Sequence, residues 1–212
     1  MVTVISLGGS IIAPGGVDEE FLFQFVSLIR EILESDRSRR FILVAGGGSP
    51  ARSWQRAYSN IAGRLAAAAL PGEADWIGVM ATRLNAQLVK AVFGEYCVQD
   101  VVIDPARAGP FEGRVLVAAG WKPGFSSDYD AVLLAERFRA DRVINLSNIA
   151  QVYTADPAQD PGAEPIERIS WDDFRALVGD EWVPGKNVPF DPVASRHAAK
   201  IGLPVICAAG RD

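Results

Sequence analysis

Two glycine clusters carry the first chemical signal. Gly8-Gly9-Ser10 follows the apolar run Val2–Leu7, and Gly46-Gly47-Gly48 follows a second apolar run at 40–44. Each cluster falls where a strand gives way to a loop or helix. Residues without a Cβ let backbone N–H groups close on an anion there, and the next helix N-terminus adds positive potential. Three consecutive glycines cost conformational entropy on folding, so a tight turn alone is a poor reason for them. Two such cradles imply two phosphorylated ligands face to face, the least that phosphoryl transfer between nucleotides requires. The Walker spacing G-x-x-x-x-G-K-[ST] is absent, and so is G-x-G-x-x-G. This excludes a P-loop enzyme and a standard dinucleotide binder.

Three further places carry polar groups of the right kind. Arg52 falls in the first turn of the helix expected after the triple glycine, where its guanidinium would fork onto a phosphate. A solvated surface arginine fits that spacing equally well. The loop 120–128 holds Gly120, Gly124, Ser126, Ser127 and Asp128, with Lys122 as its one cation. Lys122 would neutralise developing phosphoryl charge, and Asp128 would cap the next helix. The segment 147–157 follows a strand end, where open α/β sheets hold ligands. In it Tyr153 would pack on a base and Asp156 would accept from ribose hydroxyls; a plain hairpin is the alternative.

The elements that must position these groups alternate along the chain. Strands are expected at Val2–Leu7, 40–44, 98–103, Val115–Ala118, 142–146 and 205–207. Helices are expected at Glu19–Ser35, 50–69, 75–93, 128–140, Trp171–Val178 and 191–201, with Pro71-Gly72 joining the second and third. This order predicts an α/β fold: a three-layer αβα sandwich on a mainly parallel sheet, formed by the 212 residues as a single unit.

Composition narrows the function. A formal net charge of -5 argues against a nucleic-acid binder, which needs a basic face. His197 is the only histidine, which excludes histidine-centred metal sites and Ser-His-Asp triads. Cys97 and Cys207 lie far apart in apolar runs and read as buried small hydrophobes. No apolar run reaches the roughly 20 residues of a membrane span. Residues 1–7 read as a strand without a basic leader, so a cytoplasmic protein is expected.

Several stretches together resemble the amino acid kinase superfamily and, within it, the archaeal-type UMP kinase (uridylate kinase) family. They are 4–10, 46–52, Asp75-Trp76-Ile77-Gly78 with Thr82-Arg83-Leu84-Asn85-Ala86, Pro123-Gly124-Phe125-Ser126-Ser127-Asp128, Asn148 through Pro157, and Phe190-Asp191-Pro192-Val193-Ala194. The resemblance runs in order over nearly the whole chain. It implies transfer of the ATP γ-phosphoryl group to UMP, with Mg²⁺, in a homo-oligomer (dimer or hexamer) whose contacts cover apolar helix faces such as 21–33. It places Gly8, Gly9, Ser10, Gly47, Ser147, Tyr153 and Asp156 about ATP. Gly46, Gly48, Arg52, Asp75, Gly120, Gly124, Ser126 and Ser127 would surround UMP. Asp128, Lys122 and Arg52 would be the catalytic groups, Asp128 as an organiser and not a base.

Three departures from the family pattern stand out. Ala150-Gln151 replaces Asp-Gly in the nucleotide loop. Ser6-Leu7 stands where many members carry a lysine, leaving Lys122 and Lys186 as candidates for that charge. The family continues for another strand pair after the last strand expected here. Another small acceptor (carboxylate, carbamate or phosphate monoester) and a non-catalytic nucleotide-binding relative remain the alternatives.

Overall fold

The computed structural model describes residues 1–65, 70–157, 160–179, 181 and 188–211. Lys186 lies outside these residues. Five parallel strands form the central sheet in the order β3-β2-β1-β4-β7: β1 (Val2–Leu7), β2 (Arg40–Ala45), β3 (Val115–Ala118), β4 (Arg142–Ser147) and β7 (Val205–Ala209). A two-stranded antiparallel ribbon, β5 (Val152–Tyr153) with β6 (Pro165–Ile166), stands apart.

Near-continuous apolar runs suit strands covered on both faces, and period-two alternation then splits them between two cores. Ile5, Leu7, Phe41 and Leu43 join Phe25, Leu33, Val89 and Phe93 on one face. Val4, Ile42, Val44 and Leu116 join Leu134, Phe174 and Ala198 on the other. The first face is covered by α2 (Glu19–Ser35) and α4 (Pro71–Phe93), and α3 (Gly48–Arg64) lies against α4. The second is covered by α5 (Ser127–Arg137), α6 (Trp171–Val178) and α7 (Pro192–Lys200). These are the three layers expected.

Helix α2 shows why the pattern works. Asp18 caps it, accepting from the Phe21 N–H at 2.9 Å, and Phe21, Leu22, Phe25, Val26, Ile29 and Leu33 turn inward at helical spacing. That apolar face is therefore core, not oligomer surface; only Phe23 and Leu28 among the large apolar residues of the helix point to solvent.

The structure corrects other expectations. Residues 98–103 are not a strand: only Val102 bridges to Ala118, and Val98 and Ile103 are exposed. The Gln99 side chain ties that segment to the Pro110 carbonyl and the Glu112 N–H instead. Pro71-Gly72 opens α4 and does not merely precede it, because proline at the first helical position loses no hydrogen bond. Ser126 caps α5, accepting from the Tyr129 N–H at 3.1 Å, so Asp128 sits inside the first turn. A short helix, α1 (Gly9–Ile12), escaped the sequence reading; four residues carry too little periodicity.

Candidate active site

Parallel strands deliver their following loops to one edge of the sheet. Gly8 and Gly9 follow β1, the triple glycine follows β2, Gly120 follows β3 and Asn148 follows β4. The two glycine clusters touch each other. A Cβ on Gly9 would overlap the Gly48 amide nitrogen, lying 2.5 Å from Gly48 Cα and 2.8 Å from Gly47 C. Gly48 itself has φ +67°, and a Cβ there would also crowd Ala13 O at 2.7 Å. Only glycine on both sides permits this approach.

Hydrogen bonding sorts the glycines. Gly8 N–H donates to Leu146 O and Gly46 N–H to Leu7 O, both at 2.8 Å, so these two build the loops and hold no amide for a ligand. Among the described residues the N–H groups of Gly9, Ser10, Gly47 and Gly48 meet no acceptor in the protein. Unpaired N–H groups gathered at one place are what binding an anion requires. Asn85 Nδ2, from α4, holds the Gly46 and Gly47 carbonyls at 2.7 and 3.2 Å.

Two cavities lie at this edge. One, about 420 Å³, is lined by Asn148, Gln151, Tyr153, Asp156 and Leu177. Ser10 Oγ donates to Asn148 Oδ1 at 3.4 Å, joining it to the first glycine loop. Ser147 Oγ is already engaged, accepting from the Ile149 N–H at 3.0 Å. The other, about 360 Å³, is lined by Asp75, Lys122, Gly124, Ser126, Tyr129 and Asp191. The Lys122 ammonium lies over the Trp121 and Phe125 rings, at 4.0 and 5.0 Å from their centroids. Gly120 and Ser127 do not line this cavity; Gly120 N–H donates to Thr82 Oγ1 at 2.8 Å, and Ser127 opens α5. Arg52 does not fall in the first turn as expected: α3 starts at Gly48, two residues earlier than the sequence suggests, so Arg52 is its fifth residue, exposed and without a partner among the described residues. A larger cavity of about 760 Å³ beside β7 contains none of the expected site residues, and size alone does not make it the site.

Asp128 connects the parts. Its Oδ1 accepts from Ser6 Oγ at 2.9 Å and its Oδ2 from the Asp191 N–H at 3.2 Å, which ties the end of β1 to the start of α7. Both of its carboxylate oxygens are thus engaged within the protein.

The sequence profile of the amino acid kinase family matches residues 1–209. The chain belongs to that family. It is 34% identical to the uridylate kinase of Methanospirillum hungatei over 212 residues, covering 99% of this chain and 86% of that one. It is 32% identical to the uridylate kinase of Methanoculleus marisnigri over the same shares. Among solved structures, the uridylate kinase of Archaeoglobus fulgidus superposes with a TM-score of 0.81 at 30% identity, covering 99% of this chain and 92% of that one. The aspartate kinase of Synechocystis shares the fold, with a TM-score of 0.75 at 17% identity over 100% of this chain and 38% of that one.

Within this amino acid kinase fold, the sequence assigned no role to Ser6, Thr82, Arg83, Asn85 or Asp130, although all but Asp130 fall in stretches that carry the family resemblance. Thr82 and Asn85 carried a readable signal: polar residues three apart on the same side of α4 as Val79, Ala86 and Val89, all apolar and buried.

Burial gives the site's carboxylates an unusual electrostatic state. It pushes Asp128 up to about 6, against the Ser6 hydroxyl and the Asp191 N–H, which pull it down. It pushes Asp130 up to about 7, against the Trp121 N–H, with the charges of Asp104 and Asp128 raising it further. Both groups bind protons more tightly folded than unfolded. Their contribution to stability is therefore complete below about pH 4 and is lost as pH rises through 6 and 7. The lowered carboxylates Asp18, Asp36 and Asp100 titrate below this window. For Asp130 alone the loss is on the order of 4 kcal/mol by pH 8. Thermal melts are expected to show a lower Tm at pH 8 than at pH 5.5, with Asp130→Asn removing much of the difference. A Tm equal or higher at pH 8 in the wild type contradicts this.

Proposed function

We propose that the protein is a UMP kinase, transferring the γ-phosphoryl group of ATP to UMP and releasing ADP and UDP. One observation carries this most directly: two glycine loops in contact, with four unpaired N–H groups, between two cavities at one sheet edge. The cavity with Tyr153 and Asp156 takes ATP, its phosphates reaching the amides of Gly9, Ser10, Gly47 and Gly48. The cavity with Asp75 and Lys122 takes UMP, Asp75 accepting from the ribose hydroxyls. An oxygen of the UMP phosphate is already an anionic nucleophile and needs no base. It attacks the γ-phosphorus in line, forming a P–O bond as the bond to the ADP oxygen breaks. Positioning and charge neutralisation by Lys122 and Arg52 then supply the catalysis.

No group of three Asp, Glu, His or Cys among the described residues is placed to hold a metal. In this reading Mg²⁺ would arrive on the ATP phosphates, keeping most of its ligands as phosphate oxygens and water. The 212 residues work as a single unit in this reading. A dimer or hexamer would cover the apolar side chains that α3 and α4 leave in solvent, Trp54, Met80 and Leu84 among them; light scattering after gel filtration reads the oligomer. A cytoplasmic location fits substrates of this kind. None of the described helices is long and apolar enough to cross a membrane.

The test is ADP formation from ATP and Mg²⁺ with UMP, CMP, AMP, GMP, glutamate or carbamate offered separately. ADP with UMP alone is expected. ADP only with another acceptor keeps the fold and overturns the substrate, and ATP binding without turnover overturns the catalytic reading.

A further inference from the structure

Trp121 is gripped from both sides. Its N–H donates to Asp130 Oδ2 and its carbonyl accepts from Arg83 Nη2, each at 3.1 Å. The two side chains come from different layers: Arg83 stands on α4 and Asp130 on α5. Neither is fully satisfied. Asp130 is wholly buried with Oδ1 unpartnered, and Arg83 Nε is buried without a partner. Groups of this kind are rare in folded proteins because each costs roughly 1–3 kcal/mol, and each calls for a specific reason.

The reason lies in what Trp121 carries. Its indole packs on Phe125, with centroids 4.8 Å apart, and bears the Lys122 ammonium 4.0 Å from its own centroid. A free lysine has rotamer entropy of roughly 2 kcal/mol, which one exposed cation–π contact of about 0.5–1 kcal/mol does not offset but the two together, on Trp121 and on Phe125 packed against it, nearly do. Lys122 therefore stays in place only if the ring beneath it does. That ring is attached to the one residue of the loop whose peptide groups two helices hold.

We infer that Arg83 and Asp130 are positioning residues for the acceptor: they clamp Trp121, and Trp121 holds Lys122 at the cavity that takes the acceptor phosphate. This rests on the UMP kinase reading. Neither clamp residue touches substrate; both act through Trp121 on Lys122.

The test combines steady-state kinetics with hydrogen–deuterium exchange. Asp130→Ala and Arg83→Ala are each expected to lower kcat/KM for UMP at least tenfold while KM for ATP stays within twofold. Asp130→Asn, whose amide oxygen still accepts from the Trp121 N–H, brings kcat/KM back to within threefold of wild type. In a Lys122→Ala background, Asp130→Ala is expected to cost less than threefold further, because its route to the acceptor is gone. A merely structural role predicts instead that both substrates suffer together and that the two losses multiply. Exchange in the nucleotide-free protein is expected to quicken at least tenfold across 120–126 in either alanine variant. It needs no turnover. Should Asp130→Ala not fold, Arg83→Ala and Asp130→Asn decide by the same readings. Unchanged exchange and unchanged acceptor kinetics overturn the clamp while leaving UMP kinase activity standing. A wild-type protein inert towards UMP overturns the functional reading and the acceptor role with it, whatever the exchange shows.

Discussion

Gly9→Ala is expected to abolish phosphoryl transfer and to destabilise the protein by more than about 3 kcal/mol, at the upper end of what overpacking costs. The added Cβ would overlap the Gly48 nitrogen and stand 2.5 Å from its Cα. These are backbone atoms, so no rotamer change relieves the clash. One or both glycine loops must retreat by about an ångström, and Gly9, Ser10, Gly47 and Gly48 no longer converge on one anion. Misplacement on that scale costs on the order of 10²-fold in rate even where the chemistry is untouched. Gly15→Ala is the matched control: a Cβ there meets nothing within 4 Å, and its φ is not positive. Its stability is expected to stay within about 0.5 kcal/mol of wild type. Urea unfolding and ATP calorimetry on the two variants check this. A Gly9→Ala protein that melts like wild type and binds ATP normally would show that the loops do not work as one cradle.

Lys122→Ala is expected to lower kcat/KM for UMP by about 10²- to 10³-fold, the loss found when one preorganised charge-stabilising group is removed. The side chain is exposed and pairs with no carboxylate among the described residues, so its charge is free to meet a phosphate. For the same reason its removal disturbs little packing, and Tm is expected to move by less than about 3 °C. The split between constants is informative. A fall in kcat places the ammonium on charge that develops during transfer, whereas a rise in KM for UMP alone places it on the bound substrate. Lys122→Arg keeps the charge and the ring contact, and it is expected to recover part of the loss. A change of less than threefold in Lys122→Ala removes this lysine from the mechanism and shifts attention to Arg52.

Much of the fold was legible in the chain. Val2–Leu7, Glu19–Ser35, Val115–Ala118 and Trp171–Val178 were read to the residue, because burial of one stripe or of a whole strand leaves a period in the sequence. Residues 98–103 were misread for the converse reason. Their apolar, β-branched character is a strand propensity, but the adjoining strand β3 offers them one bridge and no ladder. Propensity is local, whereas a strand exists only with a partner.

The site divides along the same line. The sequence by itself determined the two glycine clusters, the family resemblance and the acidic loop, since glycine clusters and in-order motifs are properties of the chain. Only the tertiary structure decided which amides are free. Gly8 and Gly46 spend theirs on Leu146 and Leu7, pairings set by strands brought together from distant parts of the chain. Likewise Asp128 joins β1 to α7, and Asp130 meets Trp121 together with Arg83. Asp130 reads in sequence as one more acidic residue near a helix start. What it does depends on the desolvation and the partners it finds once the layers close over it, and no spacing along the chain encodes those.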